Sequence, residues 1–254
     1  MIWDQLTSNQ IAELDKDIPV LLPVSATEQH GAHLPLATDR IIGEHFLYTL
    51  NNLINPNMLI LPSVGIGCSD HHMDFAGTLT LSHDTFSLVA KEIIESVLRH
   101  GFYKIILFNS HGGNQGIAQV ILEQLGYKYR HAHFVSVTWW VLVREALMHI
   151  SETGPGGTGH ACELETSVIE FAANHLVDKT QIKKGANEPT FKWAEGDMLH
   201  GSHATCYRTM KAATSNGIFG DPTKASAEKG KRITESVVTS LKDVVTDLLA
   251  AGKK

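Results

Sequence analysis

Short apolar runs alternate with longer stretches of helical periodicity, and this alternation constrains the fold of the chain more than any other feature. The run Ile-Pro-Val-Leu-Leu-Pro-Val at 18–24 reads as a buried strand, and 39–53 has the spacing of a helix that Asp39 is placed to cap. Met-Leu-Ile-Leu-Pro-Ser-Val at 58–64 is a second strand, followed over 84–100 by a helix whose apolar positions are Phe86, Val89, Ile93, Ile94 and Val97. The run 104–108 is the clearest strand. A glycine turn, a helix over 114–125 and a strand at 133–137 come after it. Such an order predicts an α/β fold with a mostly parallel sheet, right-handed crossovers and helices on both faces.

Length and charge narrow the possibilities. The 254 residues can bury a sizeable core and read as a single domain over 1–254, and a hydrophobic content of 43% excludes a disordered chain. With 21 basic against 27 acidic residues the net charge is −6, and no basic face is visible, which argues against nucleic acid or an anionic membrane as partner. No apolar run approaches the roughly 20 residues of a membrane-spanning helix. Cys68, Cys162 and Cys206 are far apart and form no C-x-x-C pair, and the first residues do not resemble a secretory signal. A cytoplasmic protein with reduced thiols is expected. The segment 183–216 breaks the alternation and reads as an irregular excursion that contributes to a pocket or a subunit contact. Beyond it, Asp221 and Pro222 are expected to open a terminal helix, and 250–254 to be a frayed end.

The chain holds 15 histidines, and some of them fall in three clusters that also contain carboxylates. Thr27-Glu-Gln-His-Gly-Ala-His-Leu-Pro-Leu-Ala-Thr-Asp39 follows the first strand; residues two apart in an extended segment share a side, so Glu28 and His30 would stand together, with Asp39 returning at the next helix. Asn109-Ser-His-Gly-Gly-Asn114 ends the third strand and puts His111 where ligands of open α/β sheets gather. In Gly159-His-Ala-Cys-Glu-Leu-Glu-Thr-Ser167, His160 and Glu163 can share a helical face while Glu165 points elsewhere. Read plainly, these are a helix cap, a tight turn and acidic residues complementing a helix dipole. Taken together, they supply imidazoles and carboxylates without thiolate, a set suited to zinc, manganese or ferrous iron. Two imidazoles and three carboxylates can hold two ions if one carboxylate bridges, and hydrolysis is the chemistry such pairs perform.

Other motifs exclude rather than suggest. Gly65-Ile-Gly67 lacks the third glycine and the helix of a dinucleotide loop, and there is no P-loop, G-x-S-x-G or H-E-x-x-H. Trp139 and Trp140 begin a helical stretch with Val143, Leu147 and Ile150. One of them belongs to the core, and Trp139 is assigned to the substrate with His72, His160 and Glu163.

The three clusters, with Phe75-Ala-Gly-Thr-Leu-Thr-Leu81 and Gly220-Asp-Pro222, resemble the creatininase (creatinine amidohydrolase) family in motif and in order, over nearly the whole chain. The resemblance implies a three-layer α/β/α sandwich and a two-metal centre that opens carbon–nitrogen bonds of amides. It implies Glu28 and His111 on one ion, His30 and Glu165 on the other, and Asp39 bridging. A hydroxide held by the ions would attack the carbonyl, with Glu165 and His160 as the catalytic pair and His160 handling substrate or the leaving-group proton. Family members are often oligomers, hexamers among them, so a homo-oligomer acting on a small amide, cyclic amide or formamide is expected. The sequence departs from creatininase proper at Gly112-Gly113, where the resemblance implies a Tyr-Glu pair in that enzyme, and at Gly156 in place of a tryptophan, and it departs from the family's usual Glu-His at His71-His72. These changes turn the expectation away from creatinine itself. The rival readings are creatinine hydrolysis after all, a metal-dependent binding protein without turnover, and a two-metal phosphoesterase. The last is disfavoured because Arg40 is the only basic residue in the clusters.

Overall fold

The computed structural model describes residues 1–252; Lys253 and Lys254, part of the expected frayed end, lie outside the described residues. The chain begins with α1 (Ser8–Glu13), β1 (Val20–Val24), α2 (Thr38–Ile54), β2 (Leu59–Ile60), α3 (His83–Arg99), β3 (Lys104–Asn109), α4 (Gln115–Lys128) and β4 (His133–Thr138). Two short helices, α5 (Trp139–Leu142) and α6 (Arg144–Ile150), lead to α7 (Glu163–Ala173), α8 (Met210–Ala213) and the long α9 (Ala227–Ala250). Among the described residues the strands are ordered β2-β1-β3-β4, and every neighbouring pair is parallel.

β1 and β3 are buried along their whole length, which is why they read as unbroken apolar runs. Successive side chains of a strand point to opposite faces, so the same two strands feed two cores. Leu21, Ile106 and Phe108 pack with Phe46 of α2, Val168 of α7 and Val237 of α9. Leu22, Ile105 and Leu107 pack with Phe86 and Ile94 of α3 and Ile121 of α4. The result is the three-layer α/β/α sandwich. Full burial of a Phe or Leu side chain contributes about 1.5–3 kcal/mol, so either helical layer is secured by a handful of such residues.

Three boundaries differ from the sequence reading, each for a local reason. β2 is shorter than 58–64: Leu61 still donates to the Leu21 carbonyl at 2.9 Å, but Pro62 has no N–H and the ladder resumes only where Val64 donates to Pro23. Asp39 does not cap α2. Ala37 holds the cap position without a side-chain bond, and Asp39 lies inside the first turn. Asp221 caps only the short 3-10 turn Pro222–Lys224, after which Ser226 caps α9 by accepting from the Lys229 amide at 3.2 Å.

The excursion over 183–216 holds one 3-10 turn and α8 and is otherwise irregular. It is tied to the body by Met198 donating to the Thr158 carbonyl at 2.8 Å, and closed on itself by Glu188 donating to Ala213 at 2.8 Å.

Candidate metal centre

In the strand order β2-β1-β3-β4 the chain turns one way from β1 and the other way from β3, opening a crevice beyond their carboxyl ends. The loop after β1 carries Glu28 and His30 there, the first turn of α2 carries Asp39, and His111 lies in the turn just past the end of β3. From the other half of the chain, His160 exchanges backbone hydrogen bonds with Phe219, and Ala161 takes a left-handed φ of 53° that turns the chain into α7. Glu165 is in the first turn of that helix. All of these site residues are buried.

The five candidate ligands converge. His30 Nε2 lies 3.1 Å from Asp39 Oδ1 and 3.9 Å from Glu165 Oε1. His111 Nδ1 lies 3.1 Å from Asp39 Oδ2 and 3.3 Å from Glu28 Oε1. Asp39 therefore turns one oxygen to each imidazole. The far side of each ring is fixed by backbone: His30 Nδ1 donates to the Glu28 carbonyl at 3.1 Å, and His111 Nε2 to the Cys68 carbonyl at 3.1 Å. Metal-binding histidines are oriented in this way, one nitrogen committed to an outer partner and the other free for the ion.

The electrostatics ask for cations. Burial opposes ionisation of Glu28, yet His111 beside it holds the carboxyl well below the ordinary carboxylate range. Burial likewise opposes ionisation of Asp39, which His30 nevertheless lowers to about 2. In the imidazoles, burial works toward neutrality, but Asp39 raises His30 to about 9, and Glu28 with Asp39 holds His111 well above its usual value. Glu165 is pushed up to about 7 by burial. Glu28 Oε2 and Asp39 Oδ2 are buried without an aligned hydrogen bond among the described residues. Orphaned carboxylate oxygens are costly away from water, and protons on the two histidines or divalent ions in their place would compensate them. On this ground the residues fit a metal. Overlapping groups of three, including Glu28 with His30 and Asp39, and His30 with His160 and Glu165, bring one ligand atom each within 4.8 Å of one another.

A second ring of polar contacts surrounds these groups. Gln29 donates to His72 Nδ1 at 3.0 Å, which leaves His72 Nε2 facing Glu28 Oε1 at 3.4 Å. His160 Nε2 donates to the Gln29 carbonyl at 2.6 Å, and its Nδ1 lies 3.7 Å from Glu28 Oε1. Burial, reinforced by His30, keeps His160 well below its usual pKa and therefore neutral. Gln29 was not singled out in the sequence, although its place between Glu28 and His30 was a signal for it.

A cavity of about 470 Å³ opens beside the centre, lined by Glu28, His72, His111, His160 and Glu165 and, on its outer side, by the excursion through Gly196 to Met198. Two assignments to the substrate are corrected here. Trp139 is fully buried in the core against Phe46, and its neighbour Trp140 lines the cavity instead. Glu163 faces away: it accepts from Ser151 at 2.9 Å, from the Glu152 and Thr153 amides, and from Lys229 of α9. Arg144, outside the sequence clusters, also lines the cavity, whereas Arg40 pairs with Glu44 on the surface.

Fold and site together define an α/β/α sandwich with a buried candidate metal centre at the carboxyl edge of its sheet. The sequence model of the creatininase family, creatinine amidohydrolase, matches residues 4–245, and the chain belongs to that family. The Mycofactocin precursor peptide peptidase of Mycobacterium tuberculosis (strain CDC 1551 / Oshkosh) is 28% identical over 240 residues, 91% of this chain and 85% of the relative. The 3-dehydro-scyllo-inosose hydrolase of Thermotoga maritima is 25% identical over 269 residues, 99% of this chain and 85% of the relative. Among solved structures, a protein described as a creatinine amidohydrolase from Bacteroides fragilis NCTC 9343 superposes with a TM-score of 0.84 at 24% identity, covering 99% of this chain and 97% of that one. A creatininase variant of the Zn-Zn type gives 0.80 at 23% identity and 97% coverage of both chains, and a manganese creatininase 0.78 at 22% and the same coverage. At these identities the structures establish the fold.

Proposed function

We propose that the protein is a metal-dependent amidohydrolase that cleaves a carbon–nitrogen bond of a small amide, cyclic amide or formamide with water activated between two divalent ions. The observation that carries this reading is Asp39, whose two oxygens each approach a different imidazole at 3.1 Å, as a bridging carboxylate requires. Glu28 and His111 would share one ion with Asp39, and His30 and Glu165 the other; zinc, manganese and iron all suit these donors. Bound there, the ions would lower the pKa of water and polarise the carbonyl under attack.

The chain supplies the rest. Neutral His160, with Nε2 committed to Gln29, offers Nδ1 to the cavity, where it is placed to take up a proton and pass it to the leaving nitrogen. His72 steadies Glu28, Trp140 gives an apolar wall, and Arg144 suits an anionic group on the substrate. A cavity of about 470 Å³ matches a small molecule, and the peptidase among the relatives adds short peptides to the candidates. A homo-oligomer would cover Phe191 and Trp193, which stack at 4.9 Å on the excursion while 60% and 44% exposed; size-exclusion chromatography tests this. The free cysteines fit a reducing, cytoplasmic setting.

The test is metal analysis of the purified protein, followed by a panel of lactams, formamides, short peptides and creatinine with each metal. Glu28→Ala and His111→Ala should lower metal affinity by about ten-fold or more and abolish turnover while the fold survives. Full metal content in both variants would overturn the site. Ligand-induced stabilisation with no product across the panel would favour a binding protein.

A further inference from the structure

Beside His111 the chain has no side chain at position 113, and another imidazole fills the space. A Cβ on Gly113 would stand 2.1 Å from the Cys68 carbonyl oxygen, 2.5 Å from His111 Nε2 and 3.0 Å from Cε1 of His71. His71 comes from the short 3-10 turn Asp70–His72, and its ring stacks on that of His111 with centroids 5.9 Å apart and planes 16° apart. It is half-buried and lines the cavity together with Glu28 and His111. Neither of its ring nitrogens makes a hydrogen bond among the described residues. One ligand atom each from Glu28, His71 and His111 lie within 4.8 Å of one another.

A histidine kept for packing alone has no need of a carboxylate and a second imidazole at ligand distance. We propose that His71 is a metal ligand, joining Glu28, His111 and the bridging Asp39 in a set of two imidazoles and two carboxylates on the ion beside the cavity. Imidazole and carboxylate are the donors of catalytic zinc sites, which can expand to five-coordination to admit water or substrate. Gly113 has a role in this arrangement, because a side chain there would collide with the Cys68 carbonyl and His111 and press on the His71 ring. The inference rests on the reading of the site as a metal centre.

The test uses wild-type, His71→Ala, His71→Phe and His71→Glu proteins, stripped with a chelator and titrated calorimetrically with zinc or manganese. Cobalt spectra report the ligand field and circular dichroism reports the fold. H71F keeps a ring against His111 and separates packing from ligation. H71A and H71F should each lose about ten-fold or more in affinity for one ion and change the cobalt spectrum, while H71E recovers affinity by restoring a donor. If wild-type protein binds metal and H71F matches it in affinity and spectrum, His71 is not a ligand and the centre stands without it. If wild-type protein binds no metal, the centre and this inference fall together.

Discussion

Glu163 and Glu165 stand two positions apart on α7 and therefore about 200° apart around its axis. One approaches His30; the other is turned into a pocket of Ser151, Thr153 and Lys229. In the sequence both are simply acidic residues of a first helical turn. Which of them faces the sheet edge depends on how α7 is rotated against α9, and no local pattern encodes that. Trp139 and Trp140 were ambiguous for the same reason. That Glu28, His30 and His111 come to the sheet edge was legible because each lies in the loop that leaves a strand. The role of Glu163 leads to a prediction. Lys229→Met leaves its carboxylate buried without its main cation, and breaking a buried pair costs about 3–5 kcal/mol, so urea unfolding should shift to a clearly lower midpoint with metal content unchanged. Burial alone would raise the Glu163 carboxyl, but hydrogen bonds from Lys229 and Thr153 hold it below its ordinary 4.5. A depressed folded-state value stabilises above that pH, and the contribution is lost as the pH falls through the folded value. The Tm of the wild-type protein should therefore fall more steeply below pH 4.5 than that of E163Q, and parallel curves would count against the pairing.

At the scale of elements, the parallel order of the sheet followed from apolar runs separated by helices, whereas the ends of elements did not. Pro62 shortened β2, and Ser226 rather than Asp221 started α9, because competing caps and a missing N–H act over two or three residues. The closeness of α7 and α9 was also hidden. A Cβ on Gly230 of α9 would stand 2.0 Å from the Ser167 carbonyl oxygen and 2.7 Å from Cβ of Phe171, so the two helices meet backbone to backbone. Replacing a glycine inside an ordinary helix with alanine gains about 1 kcal/mol. Here the sign reverses: Gly230→Ala should lose about 1–3 kcal/mol through overpacking, read as a lower Tm. A Tm at or above the wild-type value would show that the helices part without strain.

At the scale of the molecule, the candidate centre ties the loop after β1, the start of α2, the end of β3 and the start of α7, so a metal there would bridge the sheet and one helical layer. A ligand bound only by the folded state stabilises it by about 2.7 kcal/mol at a hundred times its Kd. Chelation should therefore lower the Tm by several degrees, and zinc or manganese should restore it; coincident melting curves would mean that the folded chain gains nothing from metal. The excursion over 183–216 was legible as an exception to the alternation, but its course over the cavity was not, since irregular backbone carries no period to read. It walls the cavity while contributing none of the groups that could hold an ion. Changes in this loop would reshape the cavity without moving the candidate ligands. On the proposed reading, what enters the cavity and what holds the ion are set by separate parts of the chain, so the one could be edited without the other.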